Sequence, residues 1–254
     1  DFNGDGDAKD DDIDLVINMN SLKIDGVAVA TSTRATALTN IKADIAYNIT
    51  GSTGGDTIVA GDLADTIATN GGATSVTGGA AADSITGGGG VDTIVFTATT
   101  AAALATEVGS TAATDVDIAA GVGEAITSFT SSTDKLNFPA ALLTNAIGTE
   151  VDTLKSIAKA GTVANTDRYV FINNAASGDN GNETGGAIAL LNALTTSAVA
   201  IGDSFIAAID NDTNVYLYLV QQVSTADTIA AQDVTAIGVL NGITTVANGD
   251  FVSI

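Results

Sequence analysis

Four aspartates, Asp56, Asp65, Asp83 and Asp92, stand at the same place in consecutive nine-residue blocks that run from Gly51 to Val95. A carboxylate repeated in register on a tight glycine-rich turn suits a hard divalent cation, because Ca²⁺ takes about six to eight oxygens from carboxylates, backbone carbonyls and water. The blocks are Gly51-Ser-Thr-Gly-Gly-Asp56-Thr-Ile-Val, Ala60-Gly-Asp-Leu-Ala-Asp65-Thr-Ile-Ala, Thr69-Asn-Gly-Gly-Ala-Thr74-Ser-Val-Thr, Gly78-Gly-Ala-Ala-Ala-Asp83-Ser-Ile-Thr and Gly87-Gly-Gly-Gly-Val-Asp92-Thr-Ile-Val. The sixth residue is Asp in all but the third, and the eighth is always aliphatic: Ile58, Ile67, Val76, Ile85 and Ile94. The last block satisfies Gly-Gly-x-Gly-x-Asp-x-U-x, with U a large apolar residue, at every specified position.

Each block divides into a turn and a short strand. Glycines at the first, second and fourth positions permit a tight turn whose carbonyls face inward, so Gly54, Gly78 and Gly87, together with Gly89 at a third position, join the four aspartates and Asp62 as candidate metal-site residues. On the strand only the eighth side chain enters the core, since neighbours alternate faces. The seventh positions, Thr57, Thr66, Ser75, Ser84 and Thr93, then form a hydroxyl ladder on the outer surface. A coil burying one aliphatic residue per block cannot offset its own ordering entropy without an ion. The alternative is a Gly-Thr-Asp-rich coil that holds together without metal.

A second acidic pattern opens the chain. Asp1, Asn3, Asp5, Gly6 and Asp7, with Asp12 closing twelve positions, resemble the D-x-[DN]-x-[DN]-G loop of EF-hand and dockerin-type calcium sites. Lys9 stands at a ligand position and Asp12 replaces the bidentate Glu, so a solvated acidic linker is the competing reading.

Composition narrows the functions. The chain has 254 residues, with 30 acidic against 8 basic and a formal net charge of -22. That charge disfavours nucleic acid and anionic membrane as partners, since both are bound through Lys and Arg. Cys, His and Trp are all absent, which excludes thiolate chemistry, a Ser-His-Asp or Cys-His nucleophile and a histidine zinc site. No spacing marks a carboxylate pair for glycoside hydrolysis, and the phosphate-cradling G-x-x-x-x-G-K-[ST] is missing, so no enzyme activity is expected. Cysteine absence is compatible with an exported protein. There is no apolar run long enough to span a bilayer and no N-terminal signal peptide is visible.

The nonapeptides resemble the RTX (haemolysin-type calcium-binding) repeats of type I secreted proteins. The resemblance implies a right-handed parallel β-roll in which two nonapeptides make one turn and calcium lies between loops two blocks apart. One edge would stack the loops of Asp65 and Asp83, and the other those of Asp56, Thr74 and Asp92. Thr74 offers only a neutral ligand, and Leu63 and Ala81 replace the fourth-position glycine, so one to three occupied sites are expected. The segment Ala125-Ile-Thr-Ser-Phe129-Thr-Ser-Ser-Thr-Asp134-Lys135-Leu136-Asn-Phe138 is similar to the I-x-D-F-x-x-G-x-D-K-L/I-x-L/F stretch that follows such repeats, with Ser128 and Ser132 where the family often has Asp and Gly. The final residues, Ala247-Asn-Gly-Asp250-Phe251-Val252-Ser253-Ile254, resemble the acidic-then-apolar C-terminus of a type I secretion substrate.

The remaining elements complete the expectation. Ile13–Met19 is β-like, and Leu22–Val29 reads as a hairpin about Asp25-Gly26. Ala35, Leu38, Ile41, Lys42 and Ile45 carry helical spacing. Residues 97–108 look like a short Ala-rich helix capping or interrupting the roll. Leu142, Leu143, Ile147, Val151, Leu154 and Ile157 suggest helical cover, Tyr169–Ile172 a strand, and Ala187–Ala198 an apolar helix. Phe205–Asp210 and Val215–Val220 read as a hairpin with Tyr216 and Tyr218 on one face. The expected fold is mainly β: an N-terminal α/β segment over 1–50, a short parallel β-roll over 51–96, and a β-rich domain with a few helices and a secretion signal over 97–254. The expected function is a secreted, calcium-binding structural subunit of a surface layer or extracellular filament. Its partners would be copies of itself and a surface glycan or lipopolysaccharide, without membrane insertion. The alternative is the non-catalytic carrier domain of a secreted protease, lipase or large adhesin.

Overall fold

The computed structural model describes residues 23–24, 27–28, 45–110, 122–143, 151–158, 161–164, 167–173, 184–192, 195–197, 203–222 and 229–253. Within these the protein is mainly β, built on two sheets with long parallel runs. Strands β1 (Lys23–Ile24) and β2 (Val27–Ala28) pair antiparallel with Ile24 opposite Val27, the hairpin expected about Asp25-Gly26. The segments expected at 13–19 and 35–44 lie outside the described residues.

The repeats set the architecture. Strand β3 (Asn48–Thr50) precedes β4 (Thr57–Val59), β5 (Thr66–Ala68), β6 (Ser75–Thr77), β7 (Ser84–Thr86) and β8 (Thr93–Val95), one from each block. Odd strands pair in parallel with odd and even with even, so Ile67 sits beside Ile85 and Ile58 beside Val76. Two blocks therefore make one turn of a coil with a sheet on each side. Each strand is only three residues long, and its middle side chain alone faces the opposite sheet. Ile67, Val76 and Ile85 are fully buried in this way, whereas Thr57, Thr66 and Ser84 stay exposed.

The coil does not end at residue 96. Helix α1 (Ala101–Glu107), capped by Thr100 Oγ accepting the amide of Ala103, belongs to an interruption. After it β9 (Glu124–Thr127) pairs with β7, and β10 (Lys135–Phe138) pairs with β8, both parallel and in register. Hydrogen bonding thus crosses the boundary expected at 96/97. The helix over 97–108 is present, and it interrupts the coil.

Beyond β10 come β11 (Val151–Ala158), β12 (Thr162–Ala164), β13 (Asp167–Asn173), helix α2 (Thr184–Asn192), β14 (Thr195–Ser197), β15 (Ser204–Asp210), β16 (Val215–Gln221), β17 (Val234–Asn241) and β18 (Phe251–Ser253). One sheet has five strands in the order β18-β10-β8-β6-β4, and the other nine in the order β11-β13-β15-β16-β17-β9-β7-β5-β3. In the wide part of the second sheet β15, β16 and β17 are antiparallel, as the Asn211–Asn214 turn requires. Both faces of this region are covered. Leu217, Leu219, Ile206 and Phe171 face the coil's own core, while Tyr216, Tyr218, Phe205 and Ile172 pack on the far side with Leu190 and Leu191 of α2. Tyr216 and Tyr218 do share one face.

Two expectations are corrected. Val151–Ala158 is a strand paired with β13, not helical cover. The helix-like spacing misleads because Leu154 packs on the cluster of the coil and Ile157 on the cluster of α2, on opposite faces of a strand apolar on both, while one extra residue between Val151 and Leu154 breaks the alternation at its start. The apolar helix begins at Thr184 and ends at Asn192, and Thr195–Ser197 pairs instead with β12. Among the described residues, no helix is long and apolar enough to cross a membrane.

Candidate metal site: two carboxylate columns

The strand register stacks the sixth residues of alternate blocks into two columns, the pairing that the resemblance implies. One holds Tyr47, Asp65, Asp83 and Glu124; the other holds Asp56, Thr74, Asp92 and Asp134. Along each column the sixth-residue amide donates to the side chain of the next turn. Tyr47 N–H donates to Asp65 Oδ1 at 2.6 Å, Asp65 N–H to Asp83 Oδ1 at 2.7 Å, and Asp83 N–H to Glu124 Oε2 at 3.1 Å. In the second column Asp56 N–H donates to Thr74 Oγ1 at 3.3 Å, Thr74 N–H to Asp92 Oδ1 at 3.1 Å, and Asp92 N–H to Asp134 Oδ1 at 2.9 Å.

The second carboxylate oxygen closes its own turn. Asp56, Asp65, Asp92 and Asp134 each accept the amide four residues earlier on Oδ2, from Ser52, Gly61, Gly88 and Thr130 at 2.7, 2.7, 2.9 and 2.7 Å. These acids therefore satisfy turn amides that strand pairing leaves unmet. Asp83 departs from the pattern. It is 1% exposed, and its Oδ2 has no hydrogen-bond partner. That oxygen lies against the Cα of Gly78, where any side chain would collide with it.

Burial controls the electrostatics here. The Asp83 carboxyl is pushed up to about 7, first by loss of water and also by the charge of Asp65, against the lowering effect of the Asp65 amide. Glu124 is raised well above the ordinary carboxylate range by burial, with Asp83 the largest of the neighbouring charges. Glu107 of α1 adds a further acid, buried and accepting Thr97 N–H, Thr97 Oγ1 and Ala98 N–H. No basic group contributes to either shift.

A cation would find its place in this column rather than the other, because Asp83 Oδ2 is a buried carboxyl oxygen without a hydrogen-bond partner. Among the described residues no three acidic side chains converge on one point. An ion at Asp83 would draw its remaining ligands from turn carbonyls and water, the hard oxygens that Ca²⁺ accepts.

The other expected residues fall as follows. Gly78 adjoins the orphaned oxygen, and Gly87 packs against Asp92 Oδ2 and the Ser128 carbonyl. Gly54 is exposed and donates to Ser52 Oγ, and Gly89 and Asp62 are exposed on their turns. Asp1, Asn3, Asp5, Asp7 and Asp12 lie outside the described residues. Glu124 and Asp134 did not emerge from the spacing, because residues 97–123 interrupt the period. A local signal was present: each acid precedes the same x-U-x strand, Ala125-Ile126-Thr127 and Lys135-Leu136-Asn137. Neither protein-family models nor curated proteins give a match to this chain.

Proposed function

We propose that this is a calcium-binding structural protein of the cell exterior, and that its parallel coil is a β-roll of the RTX type. The observation that carries the reading is the column Asp65–Asp83–Glu124, three buried acids in register with one oxygen that no group of the protein meets. Stacked carboxylates without a basic neighbour repel one another, and a divalent cation removes that repulsion. Asp83, with Asp65 and Glu124 on either side, would hold the ion. The ion would supply positive charge and a fixed oxygen geometry, and its binding free energy would become folding free energy.

The same acids would act as a switch on location. In low calcium their repulsion favours a loose chain that can be threaded through an export channel, and outside the cell the ion selects the coil. The coil's outer faces suit a lattice or filament. Thr66, Ser84 and Thr86 are exposed on one side, Thr57 and a largely exposed Val59 on the other, and Lys and Arg together number only 8 in the chain. Lysines commonly blunt sheet edges against such association.

Circular dichroism and light scattering of the whole chain test the proposal together. Millimolar CaCl₂ should raise the thermal midpoint and drive reversible, ordered association, while equal MgCl₂ does neither, because the smaller ion keeps its water. Identical melting in chelator and in calcium would overturn the calcium reading. A monomer at millimolar calcium and high protein concentration would overturn the lattice.

A further inference from the structure

The turn Gly78–Asp83 differs from its neighbours in one external contact. The carbonyl of Thr106, at the end of α1, accepts the amide of Ala81 at 3.2 Å. Gly109, at φ +63, packs so closely on the turn that a Cβ there would lie 2.5 Å from the Ala82 nitrogen. In the same turn Gly79 has φ 118 and Ala81 has φ 72, so its second and fourth residues are both left-handed. The Thr74 turn also has its second and fourth residues left-handed, Asn70 and Gly72, but carries no carboxylate. The carboxylate turns of Asp92 and Asp134 have only the fourth residue left-handed, Gly90 and Ser132, and in both the second residue's amide reaches the carboxylate. The position of α1 is itself fixed by Glu107, which accepts three hydrogen bonds from Thr97 and Ala98.

We infer that α1 is a latch on the Asp83 turn. By holding Ala81 it keeps the turn in a shape that withdraws the Gly79 amide from Asp83 Oδ2, and so reserves that oxygen for a cation. The inserted helix thereby selects one aspartate of the five in the columns as the place where an ion enters. The choice follows from chain geometry: every other aspartate Oδ2 in the two columns already accepts a backbone amide of its own turn. Asp83 would touch the ion, whereas Ala81, Thr106 and Gly109 act only by positioning it. The inference rests on the calcium reading above and adds which turn binds and what prepares it.

Two measurements on the whole chain separate the latch from that reading. The first is calorimetric titration with CaCl₂ of the wild-type chain and of Asp83→Asn, Gly109→Val and Asp212→Asn. Asp83→Asn should abolish the tightest site. Gly109→Val, which forces α1 off the turn, should weaken it by about tenfold or more, the range typical of groups that orient a metal ligand. Asp212→Asn, on the distant β15–β16 turn, should leave it unchanged. Calcium uptake that is lost in Asp83→Asn but unchanged in Gly109→Val overturns the latch and leaves the calcium reading standing, whereas uptake indifferent to both overturns the latch and the Asp83 site together. The second measurement needs no metal: amide exchange at Ala81 should be slow in the wild type and faster in Glu107→Gln, which loosens the anchor of α1 without altering the turn's sequence. An Ala81 amide that exchanges as fast as an exposed turn amide overturns the latch whether or not calcium binds.

Discussion

The coil and the wide half of the larger sheet share one apolar cluster, yet they are held together by different means. In β15 every residue from Ser204 to Asp210 is buried, and β16 is buried from Val215 to Val220, because helix α2 covers one face and the coil's core the other. In β4 or β7 only the middle residue is buried. The wide sheet rests on apolar area, at about 25 cal/mol per Å² removed from water. The coil obtains little area per residue and instead ties its turns together through carboxylates that accept backbone amides. A region built on buried carboxylates answers to protons, and on the function proposed above to cations, in a way that a region built on Leu and Tyr does not.

The sharpest way to break the contrast is to remove one column acid. Asp92 is 1% exposed and accepts the amides of Thr74 and Gly88 and the hydroxyl of Thr69. Asp92→Ala leaves all three unmet, at about 1–3 kcal/mol for each donor that stays buried. Denaturant unfolding should show a larger loss of stability for Asp92→Ala than for any other single substitution in the coil or the wide sheet named below. Asp83→Ala orphans only the Asp65 amide and should cost less in chelator.

In the wide sheet the corresponding test is Leu217→Ala. Leu217 is fully buried, and its truncation should cost about 2–5 kcal/mol, equally in chelator and in calcium. A calcium-dependent penalty at this position would mean that the two regions are not distinguished by the ion.

The pH dependence is a smaller effect and divides between the regions. Asp83 is raised to about 7 by burial, and Asp210 is raised in the hairpin, again chiefly by burial. For a raised carboxyl the folded chain binds its proton more readily than the unfolded chain does. Stability is therefore fully present below the ordinary carboxylate range and is lost as pH rises through the folded value. In chelator the thermal midpoint should climb as the pH is lowered from about 8 towards 5. Asp83→Asn should reduce the coil's share of that slope, the rest of which falls to Glu124, and Asp210→Asn should remove the hairpin's share; a midpoint that falls steadily over the same interval would contradict these assignments.

The smallest expected change concerns a turn. Ser132 has φ 71, and its amide donates to Asp250 Oδ1 at 2.7 Å. Ser132→Gly keeps that bond and relieves a left-handed side-chain residue, offset by the glycine's greater freedom when unfolded. A net gain of a few tenths to about 1 kcal/mol is expected in urea titration.

How much was legible in the sequence varies along the same line. The nine-residue period was enough to place β4 to β8, their inward aliphatics and the outward Thr and Ser ladder, because in a coil each residue's neighbour lies a fixed distance along the chain. The stacking of Asp65 on Asp83 needed in addition the two blocks per turn that the resemblance to RTX repeats implied. Glu124 and Asp134 were hidden since the interruption around α1 removes that fixed distance, although both precede an x-U-x strand. Val151–Ala158 was misread because a strand with apolar residues on both faces, Leu154 on one and Ile157 on the other, and a bulge at its start imitates helical spacing. The missing partner of Asp83 Oδ2 was beyond sequence reasoning altogether, as it arises from the contact between α1 and a turn more than twenty residues earlier.

Amide hydrogen exchange of the whole chain, resolved by segment and run in chelator and in millimolar calcium, tests the distinction most directly. Calcium should slow exchange across β5 to β9 and the turns of Asp65 and Asp83, and leave β13, β15 and β16 unchanged. Uniform slowing of every segment, or no change in the coil, would contradict the assignment of the carboxylate columns as the part of the protein that answers to the ion.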